Sequence, residues 1–105
     1  MTELQIVLTL ATKVMEWKRY EETDFWYGDN GNLFNSSLWN PLQNIADAWQ
    51  VVEKLRTDGF GVNVFGSGTG FNCEVYEFTS GTSLADIDAS TAQEAISNAA
   101  YKLVA

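Results

Sequence analysis

Asn44-Ile45-Ala46-Asp47-Ala48-Trp49-Gln50-Val51-Val52-Glu53-Lys54-Leu55-Arg56 reads as a capped amphipathic helix, the clearest element in the chain. Ile45, Ala48, Trp49, Val52 and Leu55 recur at i, i+3, i+4, i+7 and i+10, the period of one helix face. Asn44 is suited to accept a hydrogen bond from an unpaired N–H of the first turn, and Asp47 sits where the helix dipole favours negative charge. The helix is expected to run to about Asp58, with Gly59 as a natural residue to end it.

Working outward, residues 35–43 form a loop holding Trp39 and the single proline, Pro41. After the helix, Phe60, Val62 and Val64 alternate on one strand face, with Asn63 and Phe65 on the other. Gly66-Ser67-Gly68-Thr69-Gly70 turns the chain into a second strand, where Phe71, Cys73 and Val75 face one way and Asn72, Glu74, Tyr76 and Phe78 the other. Ala85, Ile87 and Ala89 alternate with Asp86 and Asp88, the pattern of a strand wet on one side.

Helical periodicity returns at both ends. Leu4, Val7, Leu8, Ala11, Val14 and Met15 trace a stripe over residues 3–16, opened by a Thr2/Gln5 capping box. Ile6 and Leu10 lie off that stripe, which suggests a second side buried against a partner subunit. Ser90 with Gln93 predicts the start of a last helix striped by Ala92, Ala95, Ile96, Ala99 and Leu103. Residues 17–22 and 25–27 read as short extended segments.

The expected order is α-β-β-α-β-β-β-α: one α+β domain over residues 1–105, an antiparallel sheet packed with three helices in an α/β/α-type sandwich. Large apolar residues on both sheet faces require two covers. Either the first helix supplies the second cover or another copy does, so a homo-oligomer is expected.

Composition narrows the functional classes. The 105 residues include fourteen aromatics, no histidine, one cysteine, and six basic against fourteen acidic residues, for a net charge of −8. Such a chain is repelled by a nucleic-acid backbone. Without histidine, His-based metal sites, His general bases and Ser-His-Asp triads are excluded. Cys73, alone within an apolar alternation, reads as a small buried hydrophobe. No apolar run approaches the roughly 20 residues that span a bilayer. The start, Met1-Thr2-Glu3, lacks the basic region of a secretion signal, so a cytoplasmic protein without membrane attachment is expected.

Three blocks resemble a known family: Val14-Met15-Glu16-Trp17-Lys18, the residue 45–55 helix, and Thr91-Ala92-Gln93-Glu94-Ala95-Ile96 followed by Ala99-Ala100. Together they are similar to the phage ABA sandwich domain family, small proteins of phages and prophages. The resemblance implies a compact α/β sandwich in the cytoplasm of an infected or lysogenic bacterium, and supplies no catalytic residues. The family commonly has glycine where Glu16 stands, so a different bend is expected before Trp17. In size and layout the chain is also loosely similar to phage sponge proteins, which bind host cyclic-nucleotide immune signals without cleaving them.

Three constellations bear on function. Asp86 and Asp88 share a strand face and suit a divalent cation or an ordinary solvated surface, and no cation-loop motif strengthens the former. The Gly66–Gly70 segment offers approachable N–H groups for phosphate or forms a plain hairpin turn. Trp17, Tyr20, Phe25, Trp26, Tyr27, Phe34 and Trp39 crowd into 23 residues interleaved with Lys18 and Arg19, which suits stacking on a base while a cation neutralises phosphate. They equally suit a tryptophan-rich core or an oligomer interface. The expectation is therefore a non-enzymatic protein, without cofactor or metal, that sequesters a small anionic nucleotide-like ligand. Its contacts would be Lys18, Arg19, Trp26, Trp39 and Arg56, with Gly66 and Gly68 as phosphate contacts. The alternative is a protein–protein interaction module whose acidic surface binds a basic host protein.

Overall fold

The computed structural model describes residues 2–19, 25–27, 33–35 and 38–105, with residues 19, 25–27 and 33–35 given by their backbone. Helix α1 (Glu3–Thr9) passes directly into a π-helical turn, Leu10–Val14. Three short strands follow, β1 (Lys18–Arg19), β2 (Phe25–Tyr27) and β3 (Leu33–Asn35), paired as a small antiparallel sheet in that order. Then come α2 (Ile45–Thr57), β4 (Phe60–Ser67), β5 (Gly70–Glu77), β6 (Ser83–Ala89) and α3 (Ala92–Val104). β4, β5 and β6 form the main antiparallel sheet, with β5 central. The α+β class, three helices and antiparallel main sheet are as expected. The added strand is β3, and the first strands form their own sheet.

Local chemistry explains most boundaries. The Asn44 side chain accepts from the Asp47 N–H at 3.0 Å, and Gly59 turns the chain out of α2 at φ 97°. Thr2 and Gln5 make the expected reciprocal cap on α1. The cap of α3 falls one residue later than the sequence suggests: Thr91, not Ser90, accepts from the Glu94 N–H. The Thr91 hydroxyl also donates to the Glu94 carboxylate at 2.9 Å.

The π turn changes which residues of the first helix point inward. The Met15 N–H reaches Leu10 O, one residue wider than an α-helical bond, and the Trp17 N–H closes the turn on Ala11 O, both at 2.9 Å. The widening rotates Leu10, off the expected stripe, into the core, where it is fully buried with Ala11, Val14 and Met15. Leu4, on the expected stripe, is exposed. Leu10 is thus covered by its own chain. Glu16 ends the turn at φ 60°. This left-handed conformation carries a cost for a residue with a Cβ.

α3 packs across β5 and β6, α2 lies beside it over β4, and α1 with the π turn rests on the two helices. The first helix therefore does not supply the second cover of the main sheet. Cys73, Val75 and Ala85 are buried against the helices. Among the described residues the other face is open, with Phe65 59 % and Phe78 70 % accessible. On α2 the buried residues are Ala48, Val51, Val52 and Leu55, so the inward stripe is turned toward Val51. Trp49 and Ile45, expected inside, are half exposed.

Residues 38–44 are stitched to the helices. The Ser97 hydroxyl, fully buried, donates to Pro41 O at 2.7 Å. The Trp39 indole N–H donates to Gln50 Oε1 at 2.7 Å, and its ring meets Trp17 edge to face with centroids 4.8 Å apart. Such pairs add about 0.5–1.5 kcal/mol beyond area burial.

Two stability tests follow from these contacts. Glu16→Gly removes the left-handed strain and only a 3.6 Å exposed contact to Lys54. Offset by the greater freedom of glycine when unfolded, it should stabilise by about 0.5 kcal/mol, raising Tm roughly 2–4 °C in a thermal melt. Ser97→Ala strands the Pro41 carbonyl and should cost about 1–3 kcal/mol, read by urea unfolding.

Candidate functional site

Surface hollows formed by described residues are separated by their chemistry, and three bear on function. The first, about 530 Å³, lies where the start of α1, residues 42–43 and the start of α3 meet. Glu3, Glu94, Gln43, Gln93 and Asn98 line it with Ile6 and Leu42, and no cation does. Glu3 already accepts from the Asn40 and Gln43 amides at 2.8 Å each. An acidic hollow of this kind repels an anion.

A hollow of about 230 Å³ at the β4–β5 hairpin tip is lined by Phe65, Phe71, Asn72 and Asp88, with Ser67, Thr69, Gly70 and Ala89. Here the glycine segment resolves into parts. Gly66 lies within β4 directly opposite Phe71, whose ring occupies the space above it, and a Cβ there would meet the ring at 3.0 Å. Gly68 is exposed in the turn with nothing near it. Gly70, at φ 147°, lies against the Ala89 carbonyl. The segment is a hairpin turn that makes room for a ring, and it brings a carboxylate rather than a cation to the hollow.

The third hollow, about 320 Å³, is lined by Arg56, Gly59, Phe60, Gly61, Val62, Tyr76 and Phe78. It combines a cation with three aromatic side chains. α2 delivers Arg56 in its last turn, and β4 begins immediately after Gly59, so Phe60–Val62 run beside it. Tyr76, opposite Gly61, lies across the glycine so closely that a Cβ there would fall inside its ring. Phe78 continues the same aromatic edge. The Arg56 guanidinium donates to both Glu53 oxygens at 3.0 and 2.8 Å. Both side chains are exposed, so the pair is worth at most about 1 kcal/mol and an incoming anion can displace it.

The sequence-predicted contacts are dispersed. Arg56 lines the 320 Å³ hollow, while Gly66 and Gly68 lie at the far end of β4, about 20 Å away at strand rise. Trp39 is 4 % accessible and is committed to Trp17 and Gln50, so it has no free face on which a ligand could stack. Lys18 is exposed on β1 opposite Tyr27, and the backbone register sets Arg19 opposite Trp26. The side chains of Arg19, Trp26, Phe25, Tyr27 and Phe34 lie outside the described residues, as does Tyr20 entirely. Phe60, Tyr76 and Phe78 were not among the predicted contacts. Their signal was the Tyr76/Phe78 alternation running past Gly61 at the start of the facing strand.

A family model of the phage ABA sandwich domain matches residues 8–101, spanning the π turn, both sheets and nearly all of α3. The chain belongs to the phage ABA sandwich domain family. No curated protein and no solved structure matches it. In this ABA sandwich domain no helix among the described residues is long and apolar enough to cross a membrane.

Two further groups draw attention in the domain. On the open sheet face the Asn72 amide donates to Asp86 at 2.6 Å and Asp88 at 2.8 Å, while the Asn63 amide leans on Glu74 at 3.5 Å. Among the described residues no cluster of three or more carboxylate or thiol side chains could hold a metal ion. Cys73 is fully buried; burial first, then the Asp86 and Glu74 charges, push its thiol up to about 11. The thiolate needed for reaction is therefore scarce near neutrality. At pH 8 the native protein should leave Ellman's reagent unreacted, and release one equivalent of colour only once unfolded in guanidinium chloride.

Proposed function

We propose that this phage-family protein acts by stoichiometric capture rather than by turnover, and that its ligand is a small aromatic anion seated beside Arg56. The observation that carries the reading is the meeting of one guanidinium with Phe60, Tyr76 and Phe78 around a hollow of about 320 Å³. Aromatic faces stack on a base, and a guanidinium pairs with a phosphate oxygen. With one cation in an acidic chain, a singly charged phosphodiester suits the hollow better than a polyphosphate. A cyclic nucleotide of the kind bacteria use as an immune signal has this chemistry, and holding it intact would make the protein an anti-defence sponge. The absence of histidine from the chain supports holding over hydrolysis.

A second reading is favoured by the open sheet face. There Phe65 stands exposed beside the Asn72-bound pair Asp86 and Asp88, a surface fitted to a basic host protein.

Melting the protein with cyclic mononucleotides, which carry one phosphodiester, beside cyclic di- and trinucleotides and cyclic ADP-ribose isomers separates the two. A true ligand at 100 times its Kd adds about 2.7 kcal/mol and visibly raises Tm. Arg56→Ala should weaken binding roughly 10- to 100-fold by loss of a charge-assisted contact. Ligand recovered by heating should be chemically unchanged; an altered ligand would mean catalysis. No shift with any nucleotide, together with a basic host protein co-purifying in a manner abolished by Asp86→Lys, would give the second reading.

A further inference from the structure

We propose that β4 is a self-association strand: two copies pair along it, antiparallel, into a continuous six-stranded sheet. The strand lies at one edge of the main sheet, and among the described residues nothing pairs with its outer side. The hydrogen bond from the Phe78 N–H to Gly59 O, at 3.3 Å, sets the alternation along the strand. Odd-numbered residues from Gly61 to Ser67 therefore bond to β5. The N–H and C=O groups of Phe60, Val62, Val64 and Gly66 point outward.

Charge says what pairs there. Phe60-Gly61-Val62-Asn63-Val64-Phe65-Gly66-Ser67 holds no charged residue and no proline in a chain of net charge −8. The opposite edge, β6, carries Asp86 and Asp88, the usual way a strand edge is kept from pairing. A second copy joined through β4 places neutral strand against neutral strand and holds the two acidic β6 strands as far apart as the sheet allows. A basic partner would find no carboxylate on β4 to recognise.

The strand is also complementary to itself. Setting Phe60 opposite the partner's Gly66 and Val62 opposite the partner's Val64 uses all four outward residues of each copy. That register puts Asn63 beside its own equivalent, amide to amide, and sets Phe65 across from the partner's Gly61, next to the Tyr76 ring that lies over that glycine. Helix α2 agrees: Trp49 is seven residues before Arg56, so both project from one flank, and Arg56 lines the hollow beside Gly59–Val62. The half-exposed Ile45 and Trp49 thus flank the β4 edge.

Sedimentation equilibrium of the full chain should give twice the chain mass. Val64→Pro takes away an outward N–H while sparing the bonds to β5, and should weaken dimerisation about tenfold or more. Asn63→Cys, at a non-hydrogen-bonded pair where the Cα atoms approach to about 4.5 Å, should form an intermolecular disulfide on mild oxidation, and Asp88→Cys should not. Because Cys73 is buried, the wild-type background serves. A monomer at the highest soluble concentration would overturn the proposal. So would a dimer in which Asn63→Cys fails to cross-link, or one cross-linked equally well through Asp88→Cys.

Discussion

Everything in this domain is arranged around the close approach that α3 permits. Its inner face is built from Ala95, Ala99 and Ala100 around Ile96, all buried, with Ser97 turned toward Pro41. Alanine leaves the backbone little more than a methyl group from its neighbour, so one helix touches the main sheet, α2, the π turn and α1. A leucine at Ala95 or Ala99 would have no volume to enter, and overpacking of this sort costs about 1–3 kcal/mol. Because α3 is synthesised after every element it packs against, the helix-facing side of the sheet and the inner stripe of α2 remain exposed until it docks.

The parts of this architecture that rest on local rules were legible in the sequence. The Asn44 cap, the glycine stop after α2, the inward alternation of Val62, Val64, Cys73, Val75, Ala85 and Ile87, and the wet outer face of β6 follow from period and capping chemistry. Where the reading departed, a tertiary or non-standard feature intervened. A periodicity of 3.6 cannot anticipate a π turn, and the extra residue moved Leu10 in and left Leu4 out. Glu16 takes a left-handed conformation that composition alone does not signal, since glycine is the usual residue there. On α2 the stripe could be drawn through Trp49 or through Val51, and packing against α3 and β4 selected Val51.

The site was harder to read for a different reason. Crowding of aromatic residues in sequence says little about crowding in space, because neighbours in the chain diverge into separate layers. Trp39 became mortar between the π turn and α2, while Arg56 found Tyr76 and Phe78, residues twenty or more positions away, through the sheet register. Charge behaves likewise. A net of −8 spread over the whole surface conveys little, but its distribution assigns roles: carboxylates on β6 and the open face, a cation at the end of α2, and neutrality along β4.

The two glycine–aromatic pairs on the β4–β5 hairpin, Gly61 with Tyr76 and Gly66 with Phe71, stand near opposite ends of the ladder and on opposite sides of it. Each ring needs a vacancy directly across the ladder. If the strands were to slide by a single residue, both rings would strike side chains at once, and the inward and outward sets would exchange. The pairs thus act as two keys cut to one lock: a hairpin short of charged contacts is left with a single alignment in which it can close.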